Sequence, residues 1–237
     1  MSQRQIIEER QVASLAKAAL VFFLLAAVLF VVSVVLQQIF WAQSQAIFNE
    51  ELDGGEASFE ALEQQLDVLA RRNALVTGLK ALGLAAVASG VLAFPRGAGS
   101  RRKSLAGAVA ALFTAVAFMS FELSASLTHT SPVHEVMEDS TLVNRMLMLV
   151  CMVGLVVAAL CWRRVLLPAT ICCYVLLGST VLGSFLGSLI FTPLLMTFAP
   201  DEFISAQPWI LLVSTAGAAI AAFCAAGTVV RASRDSG

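Results

Sequence analysis

Six apolar runs, separated by short polar stretches, make up most of the chain: residues 16–41, 74–95, 104–127, 142–162, 165–192 and 208–230. A helix needs roughly 20 such residues to cross a bilayer core about 30 Å thick, and each run reaches that length. The first is the cleanest. Residues 18–40 carry no charge, and Ser33, Gln37 and Gln38 are their only polar interruptions. The helical signal continues past the membrane length through 41–52, which is rich in Ala, Gln, Glu and Leu and free of Pro and Gly. A turn at Asp53-Gly54-Gly55 follows, and Ser58 is placed to cap a returning helix. In that arm Phe59, Leu62, Leu66 and Leu69 recur at 3-4-3 spacing, an apolar stripe of coiled-coil type. Residues 18–94 therefore read as one long helical hairpin whose tip, 42–73, extends beyond the apolar core. The expected fold is an all-α integral membrane protein with six transmembrane helices, forming one polytopic domain over 1–237.

Charge orients the spans. Arg96, Arg101, Arg102 and Lys103 stand between the second and third, Arg163 and Arg164 between the fourth and fifth, and Arg231 and Arg234 after the sixth. Seven acids fall between Glu50 and Asp67 on the other side, followed by Glu135, Glu138, Asp139, Asp201 and Glu202. Lys and Arg of short loops stay inside, so both termini are expected inside and the three longer loops outside. Residues 1–15 read as a retained inner extension of the first helix. Arg71, Arg72 and Arg145 are exceptions at the outer feet of spans. Trp41 and Trp209 are expected as anchors at the outer boundary and Trp162 at the inner one. Pro200-Asp201-Glu202 resembles a helix start, and a short interfacial helix ended by Pro208 is expected there.

With 59% hydrophobic and 13% charged residues, the chain falls outside the soluble class, and no basic tract points to nucleic acid. The five cysteines all lie in or at the edge of spans, and no Asn begins a glycosylation sequon. Both features favour an organellar or bacterial inner membrane over a eukaryotic plasma membrane.

Few residues carry chemistry. Glu122, in the outer third of the third span, is the best intramembrane ionisable group, and Arg145 is its expected partner across a hairpin. This pair suits a structural ion pair or a proton or cation site. Lys80, a turn or two inside the second span, is expected to snorkel outward. His129 and His134, near Glu135, offer donors for a divalent metal, but their spacing matches no ligand motif. The loop reads better as ordinary polar sequence. No nucleophile, P-loop or dinucleotide motif appears, so no catalytic residue and no cofactor are expected; bound lipid is the ligand such a surface suits.

Packing faces are clearer. Ser179, Gly183 and Gly187 line one face of the fifth span, and Gly217 and Ala221 one face of the sixth; small residues of this kind let membrane helices approach, so the two spans are expected first to pack on each other, with a homodimer or partner-helix face as the alternative. The stripe Phe59, Leu62, Leu66 and Leu69, with Glu60, Glu63 and Asp67 beside it, must be covered by the first arm, by lipid or by another protein. An acidic surface disfavours lying on anionic headgroups. The expected role is a non-catalytic subunit of a larger membrane assembly, in contact with other membrane subunits, lipid and, through the small-residue faces, a second copy of itself. The alternatives are a small transporter or channel using Glu122 and a membrane metalloenzyme at His129 and His134.

Overall fold

The computed structural model describes the backbone of residues 3–54, 59–94, 98–129, 136–190 and 200–235. It describes side-chain environments over 11–43, 74–94, 100–120, 145–181 and 212–234, together with Val68, Arg71, Arg72, Val143 and Trp209. Six helices make up the described chain: α1 (Gln3–Gly54), α2 (Phe59–Ala93), α3 (Ala98–His129), α4 (Val136–Trp162), α5 (Leu167–Ile190) and α6 (Pro200–Asp235). No strand occurs among the described residues.

Among the described residues, five helices are long and apolar enough to cross a membrane, over Gln11–Gln43, Ala74–Ala93, Ser100–Ser120, Arg145–Trp162 and Leu212–Arg234. This fits a multi-pass membrane protein. The expected span 165–192 corresponds to α5, a helix of 24 residues whose side chains are described over the apolar segment Leu167–Val181. A girdle of exposed Val, Leu, Ile and Phe, including Val21, Val28, Leu82, Phe113, Leu160 and Phe223, covers the outside of the bundle. An apolar patch of this extent on a soluble monomer would be a liability; against lipid it is the solvated state.

Each helix packs on its neighbours in sequence, and α6 packs on α1, which closes the six into a ring. The register is fixed by close contacts between antiparallel neighbours. Phe30 lies against Gly83 and Phe23 against Gly90, both pairs two helical turns apart. A Cβ on Gly83 would stand 2.9 Å from Phe30 Cε1, and one on Gly90 2.8 Å from Phe23 Cε1, so only glycine admits the rings. Between α3 and α4, Trp162 covers Gly107 and Thr114 covers Gly154. A Cβ on Gly217 of α6 would meet Val175 Cγ1 of α5 at 3.2 Å.

These registers place the α2–α3 and α4–α5 connections at one end of the ring, with the start of the apolar part of α1 and the close of α6. Arg101, Arg102, Lys103, Arg163, Arg164, Arg231 and Arg234 are all exposed there. We call it the basic end.

Two expectations need correction. Trp162 is not a boundary anchor facing headgroups: it is fully buried, and its indole Nε1 donates to the Ser104 carbonyl at 3.4 Å. Opposite it stands a glycine, so the large ring fills the space between α3 and α4 instead of leaving the bundle. Trp41 and Trp209, in contrast, are exposed. Pro208 does not end a short helix either, because α6 runs unbroken from Pro200 to Asp235. A proline removes one helical hydrogen bond, and a membrane helix carried on by a long apolar segment tolerates that loss.

Candidate functional site

Toward the basic end, the interior is built from alanine, glycine and a few large rings. Phe23, Phe30, Leu84, Val87, Val91, Leu155 and Trp162 are fully buried, with Ala108, Ala111, Ala158, Ala218 and Ala225 between them. Two buried hydroxyls here are satisfied within their own helices. Thr114 Oγ1 donates to the Ala110 carbonyl at 2.9 Å and Thr170 Oγ1 to the Leu166 carbonyl at 3.3 Å. Such back-bonding removes the cost of an unpartnered polar group without creating a site.

The opposite half differs. Gln37, Phe40, Arg72, Thr77, Lys80, Ser179, Thr180 and Ser214 are all half-buried, and here a polar side-chain contact joins two helices. Lys80 faces the bundle, not the lipid. Val76, Leu84 and Val87, its neighbours at −4, +4 and +7, are buried, whereas Leu75 and Leu82 on the other face of α2 are exposed. Lys80 thus sits on the bundle side of its helix, and its Nζ donates to Gln37 Oε1 of α1 at 3.2 Å. Ser33, fully buried one turn below Gln37, donates its Oγ to the Leu29 carbonyl at 3.1 Å. Two turns above Lys80, on the same i, i+4, i+8 row, the Arg72 guanidinium lies over the Phe40 ring at 5.3 Å. One of its terminal nitrogens, Nη1, is buried with no hydrogen-bond partner.

Sequence reasoning singled out neither Gln37 with Lys80 nor Arg72 with Phe40. A signal was present: Gln37 interrupts an otherwise uncharged run, and a polar residue there calls for a partner on a facing helix.

The other nominated residues fall as follows. Glu122 lies on α3, with its side chain outside the described set, and Arg145 on α4 is exposed, so the proposed pairing is neither formed nor broken by the described residues. Phe59, Glu60, Leu62, Glu63, Leu66, Asp67 and Leu69 are helical in α2, with side chains outside the described set. Gly183 and Gly187 are helical in α5. Ser179 is half-buried and bonds the Leu176 carbonyl at 2.8 Å, while Ala221 is buried and Gly217 faces Val175. His129 closes α3, and His134 lies outside the described residues. Among the described residues no three His, Cys, Asp or Glu side chains gather as a metal site, and the five cysteines are free thiols.

Comparison with known proteins finds no matching family model, no similar curated protein and no similar solved structure.

Proposed function

We propose that the protein is a non-catalytic accessory subunit of a larger membrane assembly, in an organellar or bacterial inner membrane. The observation that carries this reading is the length of α1 and α2 beyond their apolar segments. The apolar part of α1 ends at Gln43 but its helix continues to Gly54; α2 starts at Phe59, well before its apolar part begins at Ala74. At about 1.5 Å per residue the two arms extend roughly 15–20 Å. They carry the acids Glu50, Glu51, Asp53, Glu60, Glu63 and Asp67 on the side opposite the basic end. Paired as a hairpin, they form an acidic projection whose Phe59, Leu62, Leu66 and Leu69 stripe docks a partner. Gly217 and Ala221 of α6 are taken up by packing within the chain, so the second contact, to a partner helix or a second copy, falls to Gly183 and Gly187 further along α5. Reversing charge at Glu60, Glu63 and Asp67 releases the protein from its assembly while membrane insertion stays intact. An assembly of unchanged mass and composition after that substitution contradicts docking by this arm.

One observation favours a second reading. Lys80, on the bundle side of α2 and bonded to Gln37, is a cation inside an apolar span, where ionisable groups mark transport paths. With Glu122 it would serve a small transporter or channel. Cation- or proton-coupled flux in liposomes, abolished by Glu122→Gln, decides for that reading; silent liposomes decide against it.

A further inference from the structure

Five cations at the basic mouth of the α3–α4 seam are left unanswered by the chain. Arg101, Arg102 and Lys103 lie in the first turn of the apolar segment Ser100–Ser120, and Arg163 and Arg164 directly follow the apolar segment Arg145–Trp162. Both groups thus stand at the edge of a span, the level of lipid headgroups. All five are exposed, and none forms a hydrogen bond or ion pair with another described residue. The sequence offers no carboxylate nearby: residues 68–121 and 140–200 contain no Asp or Glu. The other cations of this end are placed differently. Arg231 has Asp235 four positions on, the spacing of an intrahelical pair, and Lys17 lies on the arm of α1 that carries Glu8 and Glu9. The two groups of the seam are also held together. The Trp162 indole donates to the Ser104 carbonyl at 3.4 Å and its ring covers Gly107, so Lys103 and Arg163, the chain neighbours of that bond, stay at one level on facing helices. Toward the membrane the surface turns apolar. On α3 the row Arg102, Ala106, Ala110 and Phe113 leads from charge through two small side chains to an exposed ring, and on α4 Val157 and Leu160 are exposed.

We propose that this mouth binds the headgroup of a phospholipid carrying two phosphates, its acyl chains lying along the outside of α3 and α4. Like charges gathered at fixed spacing repel, and a polyanion between them reverses the sign of that interaction. Five cations exceed what one phosphate neutralises, whereas two phosphates on a short bridge reach guanidinium groups on both sides of the seam. Arginine forms parallel N–H···O bonds to phosphate oxygens, and four of the five cations are arginines. Basic clusters between membrane helices at headgroup level suit such headgroups. A lipid fits better than an acidic protein because the charged mouth runs directly into apolar surface at membrane depth, past Ala106 to Phe113. The site lies at the end of the ring opposite the acidic arms and concerns the isolated chain, so it stands or falls apart from the subunit reading.

The test uses the full-length protein in mild detergent, titrated with cardiolipin or with phosphatidylcholine, and counts the lipid retained by native mass spectrometry. Cardiolipin, with its two phosphates, is expected to fill a saturable site, and zwitterionic phosphatidylcholine is not. Arg163→Gln combined with Arg164→Gln is expected to weaken cardiolipin binding by about tenfold or more, the usual loss on removing charge-assisted hydrogen bonds. Arg231→Gln combined with Arg234→Gln removes the same charge from the same end and leaves the binding nearly unchanged. Equal losses in the two double variants overturn the proposal, because they show attraction to the basic end as a whole and not a site at the seam. Retention of phosphatidylcholine as firm as that of cardiolipin overturns it too. Should the Arg163 and Arg164 variant fail to insert, Lys103→Gln on the α3 side of the seam takes its place, compared with Arg231→Gln alone: weaker binding in the first only supports the site, and equal binding in both overturns it.

Discussion

The two ends of the helix ring solve the same problem differently. At the basic end, helices are held by shape: a ring from one helix enters a hollow that glycine leaves in the next, at Phe23 on Gly90, Phe30 on Gly83 and Trp162 on Gly107. Lipid tails are as apolar as these side chains, so burial alone gives little drive for association. Close van der Waals fit and backbone approach supply it. At the other end the described contacts are polar and pairwise: Lys80 to Gln37, and Arg72 over Phe40. The difference separates scaffold from surface. Among the described residues the shape-fitted end holds no charge in its interior, whereas the other end places half-buried cations between helices.

Substitutions should divide along that line. The largest effect is expected at Trp162→Ala, which empties a fully buried site and should cost about 3–5 kcal/mol of stability by denaturation in detergent. Next comes Gly90→Ala, whose methyl must displace the buried Phe23 ring; overpacking of this kind costs about 1–3 kcal/mol. Lys80→Met keeps the side-chain length and removes one interhelical hydrogen bond. A change of only about 0.5–2 kcal/mol is expected, small beside Trp162→Ala. If Lys80→Met instead unfolds the protein as Trp162→Ala does, the polar end is scaffold too and the comparison fails. The smallest effect belongs to Gly227→Ala. Nothing lies within 4 Å of the added Cβ, so the protein should gain up to about 1 kcal/mol from helix propensity.

The helices were legible in the sequence because an uncharged run of membrane length has few other readings, and the clustering of Arg and Lys in alternate connections marked one end of the ring. The pairings inside it were not legible. A glycine in a helical run reads as a weak helix former, and only the matching seven-residue spacing of Phe23 with Phe30 and of Gly83 with Gly90 connects the two sets. Trp162 has the composition of an interfacial anchor, and nothing near it in the chain points to Gly107, 55 positions earlier. Pro208 followed the ordinary rule for helix ends, which the long apolar segment behind it overrides. The depth of Lys80 was legible, but the side of α2 on which it lies was not. Its direction depends on which face of α2 is buried, and that follows from α1 and α3 packing on either side.

The proposal that this is a subunit is tested most directly by the native mass of the protein extracted from its own membrane in a mild detergent, with identification of whatever migrates with it. The account predicts migration in an assembly well above the 25.1 kDa of the single chain, together with other membrane proteins. Migration as a monomer or small homo-oligomer, free of other subunits, would contradict it and bring Lys80 and Glu122 forward as the elements of a transport path.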